Sequence, residues 1–188
     1  MPNPPPKEDS WTVLPIGAPF PPSSVQCMCE ENMHVALWYE HGSPIFGRSW
    51  SNNGVVECSV TTNQQLGGHI QILQYLGDHN DQGFWYQWIQ YKNRYEKLND
   101  THQLVHCGDV FPIFWKRVEG SLLGYVNSKT EEAWFSCDGK VIRQHGAQLD
   151  EMFVLIRNFI GGPPECPCDK CKADPPPPKK SRVAGNDR

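Results

Sequence analysis

Short runs of apolar residues, some alternating with polar ones at a period of two and some apolar on both faces, recur through the middle of the chain, the mark of β-strands rather than helices. Residues 55–60 place Val56, Cys58 and Val60 on one face. Residues 69–76 put Ile70, Ile72 and Leu76 on one face and Leu73 and Tyr75 on the other, which predicts a strand buried on both sides. Residues 84–91 are bulky on both faces. Residues 111–118, 122–126, 131–136, 139–143 and 152–158 are further short runs rich in β-branched or aromatic residues. Turn residues punctuate the runs: Asn52, Asn53 and Gly54, then Gly67 and Gly68, then Gly77 to Asn80, then Asp138 and Gly139. No stretch reads as a capped amphipathic helix, and residues 94–98 fit one helical turn or a continuing strand. Short strands at this spacing predict an all-β fold, an antiparallel β-sandwich or barrel-like sheet.

Proline draws the boundaries. Only Pro44 and Pro112 fall between residues 25 and 160, and all the others lie outside. Proline lacks an N–H and resists sheet interiors. The expected organisation is therefore a Pro-rich flexible tail over 1–24, a β domain over 25–160 and a Cys- and Pro-rich tail over 161–188.

The β domain carries a repeat. Leu37, Trp38, Tyr39 and Glu40, followed by Gly42, Ser43 and Gly47, echo Phe114, Trp115, Lys116 and Arg117, followed by Gly120, Ser121 and Gly124. A strand with a cysteine follows each (Cys58, Cys137), then a small-residue step and an apolar strand ending near Leu73 or Leu155. This tandem repeat predicts two related units around a shared core or cleft. Within it, Gly47-Arg48-Ser49-Trp50, Gly54-Val55, Leu66-Gly67-Gly68-His69 and Ile72-Leu73 resemble the tandem DM-nine repeat of natterin-like lectins. Gly139-Lys140-Val141 and Val154-Leu155 resemble the same signature in the second unit. His69 and Gln148 stand where that family has an acidic residue, and the second unit lacks Gly-Arg-Ala. The resemblance implies a β-rich fold and recognition of mannose-type glycans between the two repeats.

Composition narrows the functional classes. With a net charge of −4 the molecule has no electrostatic footprint for nucleic acid. No apolar run reaches the roughly 18 residues of a membrane span. The first residues lack the apolar region of a secretory signal, so the expected location is intracellular, cytoplasmic, with reduced thiols. No nucleophile elbow, zinc-protease motif or phosphate loop is present, and the expectation is a binding module rather than an enzyme.

Candidate binding residues follow from chemistry. A sugar needs an apolar ring face and planar donors and acceptors, which Arg48, Trp50, Asp78, Asn80 and Gln82 can supply. Arg48 has an alternative role as a clamp stacked on an aromatic ring. Trp85, Trp88, Trp115 and Trp134 are expected in the core. Cys27 and Cys29 enter the domain, and Cys166, Cys168 and Cys171 leave it. If the ends of the domain meet, these thiolates can hold a structural zinc; disulfides or free thiols are the alternatives. Pro175 to Lys180 fits the Pro-x-x-Pro-x-Lys pattern read by SH3-type grooves. The expected partner is thus a glycan or a partner protein, the latter making the chain an interaction scaffold, and a homodimer is possible.

Overall fold

The structure, a computed structural model, describes residues 2–60 and 68–164. It is nearly all β: two antiparallel sheets, packed as a sandwich, with one short helix. The first sheet holds β1 (Ser10–Pro15), β2 (His34–Glu40), β3 (Ser43–Asn52), β4 (Val55–Ser59) and β5 (His69–Gln74), in the order β1-β5-β2-β3-β4. Helix α1 (His79–Gln82) leads to the second sheet. That sheet holds β6 (Trp85–Gln90), β7 (His102–Leu104), β8 (Val110–Trp115), β9 (Leu122–Asn127), β10 (Glu132–Cys137), β11 (Lys140–His145) and β12 (Phe153–Asn158). Its order is β11-β10-β9-β8-β12-β6, with β7 continuing the line of β8 along β12. Hairpins close where the sequence places turns: Asn53 and Gly54 have φ of 51° and 86°, and Asp138 and Gly139 have 51° and 72°. These are the left-handed conformations of a two-residue hairpin turn.

The two sheets are copies of one plan. Trp11 lies opposite Leu73 as Trp88 lies opposite Leu155. Ala36 lies opposite Gly47 and Ile72 as Ile113 lies opposite Gly124 and Val154. Before β2, the Val25 N–H bonds Leu73 O at 2.8 Å; before β8, the Val105 N–H bonds Leu155 O at 3.0 Å. Gly47 and Gly124 sit at one position for one reason. A Cβ on Gly47 would meet the backbone at Ser59 O and stand 2.5 Å from Val60 Cγ1. A Cβ on Gly124 would meet Trp134 O and stand 2.8 Å from Phe135 Cδ1.

This match corrects one detail of the repeat. The counterpart of Ser59 is Trp134, so Cys58 corresponds to Ala133, not to Cys137. The matching thiols are Cys27 and Cys107, whose N–H groups bond Met33 O and Val110 O, both at 2.8 Å.

The core follows from the duplication. Val25, Leu37, Phe46 and Leu73 from the first sheet meet their counterparts Val105, Phe114, Leu123 and Leu155 from the second in one cluster. Strand β3 packs against β8 and β9 across this seam. Each fully buried Leu or Phe contributes about 1.5–3 kcal/mol, so neither unit has a complete interior without the other. The opposite face of each sheet is covered by a cluster of its own: Leu14, Ala36, Ile70 and Ile72 in the first, and Phe111, Ile113, Phe135 and Val154 among others in the second. Strands buried on both faces explain the near-continuous apolar runs. Trp85 is buried as expected, whereas Trp88, Trp115 and Trp134 are half-buried.

A flexible tail was expected over residues 1–24, but the described part of it is bound to the domain. Ser10–Pro15 pairs along its whole length with β5. Pro15 ends that strand at the sheet's edge, where a missing N–H costs nothing. Upstream, the chain straps across the second unit. Asn3 Nδ2 donates to Phe159 O at 2.9 Å and Gly161 O at 2.7 Å, and the Lys7 N–H donates to Gln82 O at 2.8 Å. Asp9 accepts a hydrogen bond from the Tyr86 hydroxyl and lies 3.3 Å from Arg157 Nε, in an ion pair whose side chains are 18% and 10% exposed.

Candidate functional site

The residues expected to contact sugar fall into two groups. Arg48 and Trp50 are on β3, and their side chains share one face because they are two residues apart. The Arg48 guanidinium carbon stands 5.4 Å from the centre of the Trp50 ring, and Nη1 donates to Ser121 O at 3.4 Å. Arg48 thereby links the first unit to the β8–β9 connection of the second, the clamp role, with its Nε buried. Trp50 Nε1 donates to Glu57 Oε2 at 2.8 Å.

Asp78, Asn80 and Gln82 lie between the units. Asp78 caps α1: Oδ1 accepts from the N–H of Asn80 at 2.8 Å and of Asp81 at 3.2 Å. Burial acts to raise its pKa, but these bonds and the neighbouring His79 outweigh it and hold the carboxyl below its ordinary value. Gln82 is buried and donates through Nε2 to Leu76 O at 2.5 Å. Asp78 and Gln82 are thus spent on building the linker between the sheets.

The cysteines divide likewise. Cys27 is buried in the shared core, and burial pushes its thiol well above the ordinary range. Cys29, two residues on, is exposed, in a left-handed conformation with φ of 59°. A metal bound to Cys27 would have to enter apolar packing. Cys166, Cys168 and Cys171 lie outside the described residues, as does the Pro175–Lys180 pattern. Among the described residues no three His, Cys, Asp or Glu side chains gather as a metal site requires. Cys58 is half-buried, with its thiol pushed up to about 11 by burial. Cys107 lies 3.2 Å from the Tyr39 hydroxyl, a contact that raises the tyrosine pKa.

Two open depressions lie in the second unit, and several of their polar groups are bonded to the chain itself. One, of about 290 Å³, is lined by Tyr95, His106, Asp109 and Phe111 among others. His106 Nδ1 contacts Gly108 O at 3.0 Å there, and Asp109 pairs with Lys129 at 2.9 Å. The other, of about 340 Å³, is lined by Gln87, His102 and Asn158 among others. His102 Nε2 lies 3.1 Å from Arg94 O, and Asn158 Nδ2 donates to Gln87 Oε1 at 2.9 Å. These groups lock loops in place; none is paired as a nucleophile with its base.

What the sequence did not reveal is the condition of the sheet edges. Among the described residues β4 pairs only with β3, and β11 only with β10. The signal was available in the two-residue turns that start both strands, but which edge remains bare depends on the tertiary strand order.

Residues 8–159 match the family model MFP2b, described as a cytosolic motility protein. The crystal structure of the nematode sperm cell motility protein MFP2B matches with a TM-score of 0.85 and 47% sequence identity, covering 91% of this chain and 50% of that one. The chain thus spans about half the length of that relative. Comparison with curated proteins finds no match. These findings overturn the lectin resemblance. Gly47 and Gly54, which carried part of it, answer demands of the fold, a close strand approach and a hairpin turn. The family's cytosolic description accords with the expected intracellular location. No helix among the described residues is long and apolar enough to cross a membrane. The chain belongs to the MFP2b family of cytosolic motility proteins.

Proposed function

We propose that this chain is a non-catalytic, protein-binding component of a cytosolic motility apparatus. The observation that carries this reading is the 47% identity to the nematode sperm cell motility protein over 91% of the chain, with a TM-score of 0.85. A TM-score of 0.85 means that the two backbones follow the same course over nearly the whole chain. The chemistry of the candidate groups points the same way. Arg48, Asp78 and Gln82 each turn a polar side-chain atom to an internal contact. Glycan recognition was implied by the lectin resemblance and loses that support.

The test is depletion and add-back. Removing the protein from the motile cell that makes it should slow the cell's movement. Adding the purified chain should restore it. An unchanged rate after complete depletion overturns the reading. Retention on mannose-agarose, released by free sugar and lost in Trp50→Ala, would return the glycan alternative.

A further inference from the structure

Both units carry a strand at the same position of the plan, but among the described residues only one of the two is covered. Strand β10 is paired along its length by β11, and Arg143 on β11 forms an ion pair with Glu132 on β10. Strand β4 is the counterpart of β10, with Ser59 at the position of Trp134 and Val60 at that of Phe135. Glu57 therefore takes the place of Glu132. It accepts from Trp50 Nε1 at 2.8 Å and Asn52 Nδ2 at 3.1 Å, and no cation pairs with it among the described residues. The first unit also returns quickly: β4 ends at Ser59 and β5 begins at His69, whereas β11 and a further turn fill the stretch from Cys137 to Phe153.

Among the described residues nothing pairs with the outer edge of β4 or of β11, and the backbone shows what each offers. A two-residue turn makes Asn52 and Val55 a hydrogen-bonded pair, and the ladder alternates from there. Val56 and Cys58 hence turn their N–H and C=O groups outward. By the same count from Cys137 and Lys140, Val141 and Arg143 turn theirs outward on β11. The next outward residue, His145, has its N–H taken by Gln148 Oε1 at 3.0 Å. The β4 edge carries the exposed acid Glu57, and the β11 edge the exposed bases Lys140 and Arg143 with Val141, 45% exposed, between them. A bare edge of this kind is a template for another strand.

We propose that β4 of one copy and β11 of a second copy join as antiparallel neighbours, continuing the sheet between molecules. One register uses all four outward residues: Val56 opposite Arg143 and Cys58 opposite Val141. Alternation then puts Glu57 and Lys140 on one face as diagonal neighbours, within reach of each other. Val141 lies against Cys58, beside buried Val56. The two surfaces differ, so every added copy presents a fresh edge, and the contact is head-to-tail. This inference goes beyond the motility reading and stands or falls without it.

The test is sedimentation velocity of the full chain in reducing buffer, from low to high micromolar concentration. The wild type should associate to dimers and larger species. Val141→Pro removes an outward N–H and no bond to β10, and Glu57→Lys opposes Lys140; each should associate about tenfold or more weakly. An equal mixture of the two should form a dimer with one of each and nothing larger, since one competent edge remains on each variant. Placing Glu57→Lys and Lys140→Glu in one chain should restore association. Near-UV circular dichroism checks the fold, and Val141→Asp replaces the proline variant should that fold be lost. A wild type that stays monomeric throughout, or association that survives both single substitutions, overturns the proposal. So does a wild type that is monomeric but takes up a free peptide of the Lys140–His145 sequence, which would make the edge a site for a different partner.

Discussion

Replacing Gly47 by alanine tests the seam of the fold directly. The added Cβ would stand 2.5 Å from Val60 Cγ1 and 3.0 Å from Val60 Cα, and closer still to the carbonyl oxygen of Ser59. Carbon atoms in proteins rest about 3.5–4.0 Å apart, so β4 must retreat by about 1 Å. A rotamer change at Val60 relieves only one of these contacts, because the others are backbone. Overpacking of this kind costs about 1–3 kcal/mol, and a clash with backbone falls at the upper end. The lower entropy of the unfolded alanine chain returns about 0.4–1 kcal/mol. The net loss is about 2–2.5 kcal/mol, or a fall in Tm of roughly 4–10 °C for a chain of this size. Gly124→Ala should behave alike, since its Cβ would meet Trp134 O and Phe135. Gly42→Ala is the control. Its φ of 80° is costly for alanine, but nothing lies within 4 Å, so a loss of about 1–2 kcal/mol is expected. Urea unfolding followed by tryptophan fluorescence measures all three. Stability within about 0.5 kcal/mol of wild type for Gly47→Ala would refute the close approach. A penalty at one glycine and not the other would refute the equivalence of the units.

Other expectations concern the strap, the thiols and one histidine. Asp9→Ala leaves the Arg157 guanidinium, 10% exposed, without its carboxylate and should cost about 2–4 kcal/mol. Tyr86→Phe removes one hydrogen bond to Asp9 and should cost about 1 kcal/mol; equal losses in thermal unfolding would argue against the ion pair. His34 packs on Phe20 with ring centres 4.1 Å apart, and burial lowers its pKa below the ordinary 6.5. The unfolded chain then binds this proton more readily, so stability present above pH 6.5 is lost as pH falls through the folded value. Tm should therefore drop more between pH 7.5 and 5.5 in the wild type than in His34→Gln; parallel curves would show that His34 is not responsible. Iodoacetamide should label Cys29 quickly and Cys27 only on unfolding, with or without a zinc chelator. Cys29 protection that a chelator abolishes would instead support a metal staple.

Much of the fold was legible because strands buried on both faces leave a dense apolar record. Residues 69–76 showed two apolar faces, and Ile72 and Leu73 do enter different clusters. The Asn53-Gly54 and Asp138-Gly139 turns were visible because few residue types adopt a positive φ. Strand β1 was hidden by its flanking prolines, which mark a tail and an edge strand equally well. The repeat was readable at Trp38 and Trp115 and at Gly47 and Gly124, where shared geometry fixes residue type. It was misread at Cys58 and Cys137, because this strand position accepts the small Ala133 in one unit and Cys58 in the other. The candidate site was less legible. Arg48, Asp78 and Gln82 are polar groups beside aromatic residues in sequence, and only three dimensions show that their partners are the chain's own carbonyl and amide groups.

The contact of Asn3 with Gly161 has a consequence for engineering and for ancestry. Entry to and exit from the fold lie side by side, 2.7 Å apart at that hydrogen bond. A few residues should therefore bridge them, and a circular permutant opened at the exposed Val118 turn should keep both sheets. By the same geometry a duplicate could be spliced in series without disturbing either interior. A relative of about twice the length is what such a step would leave behind.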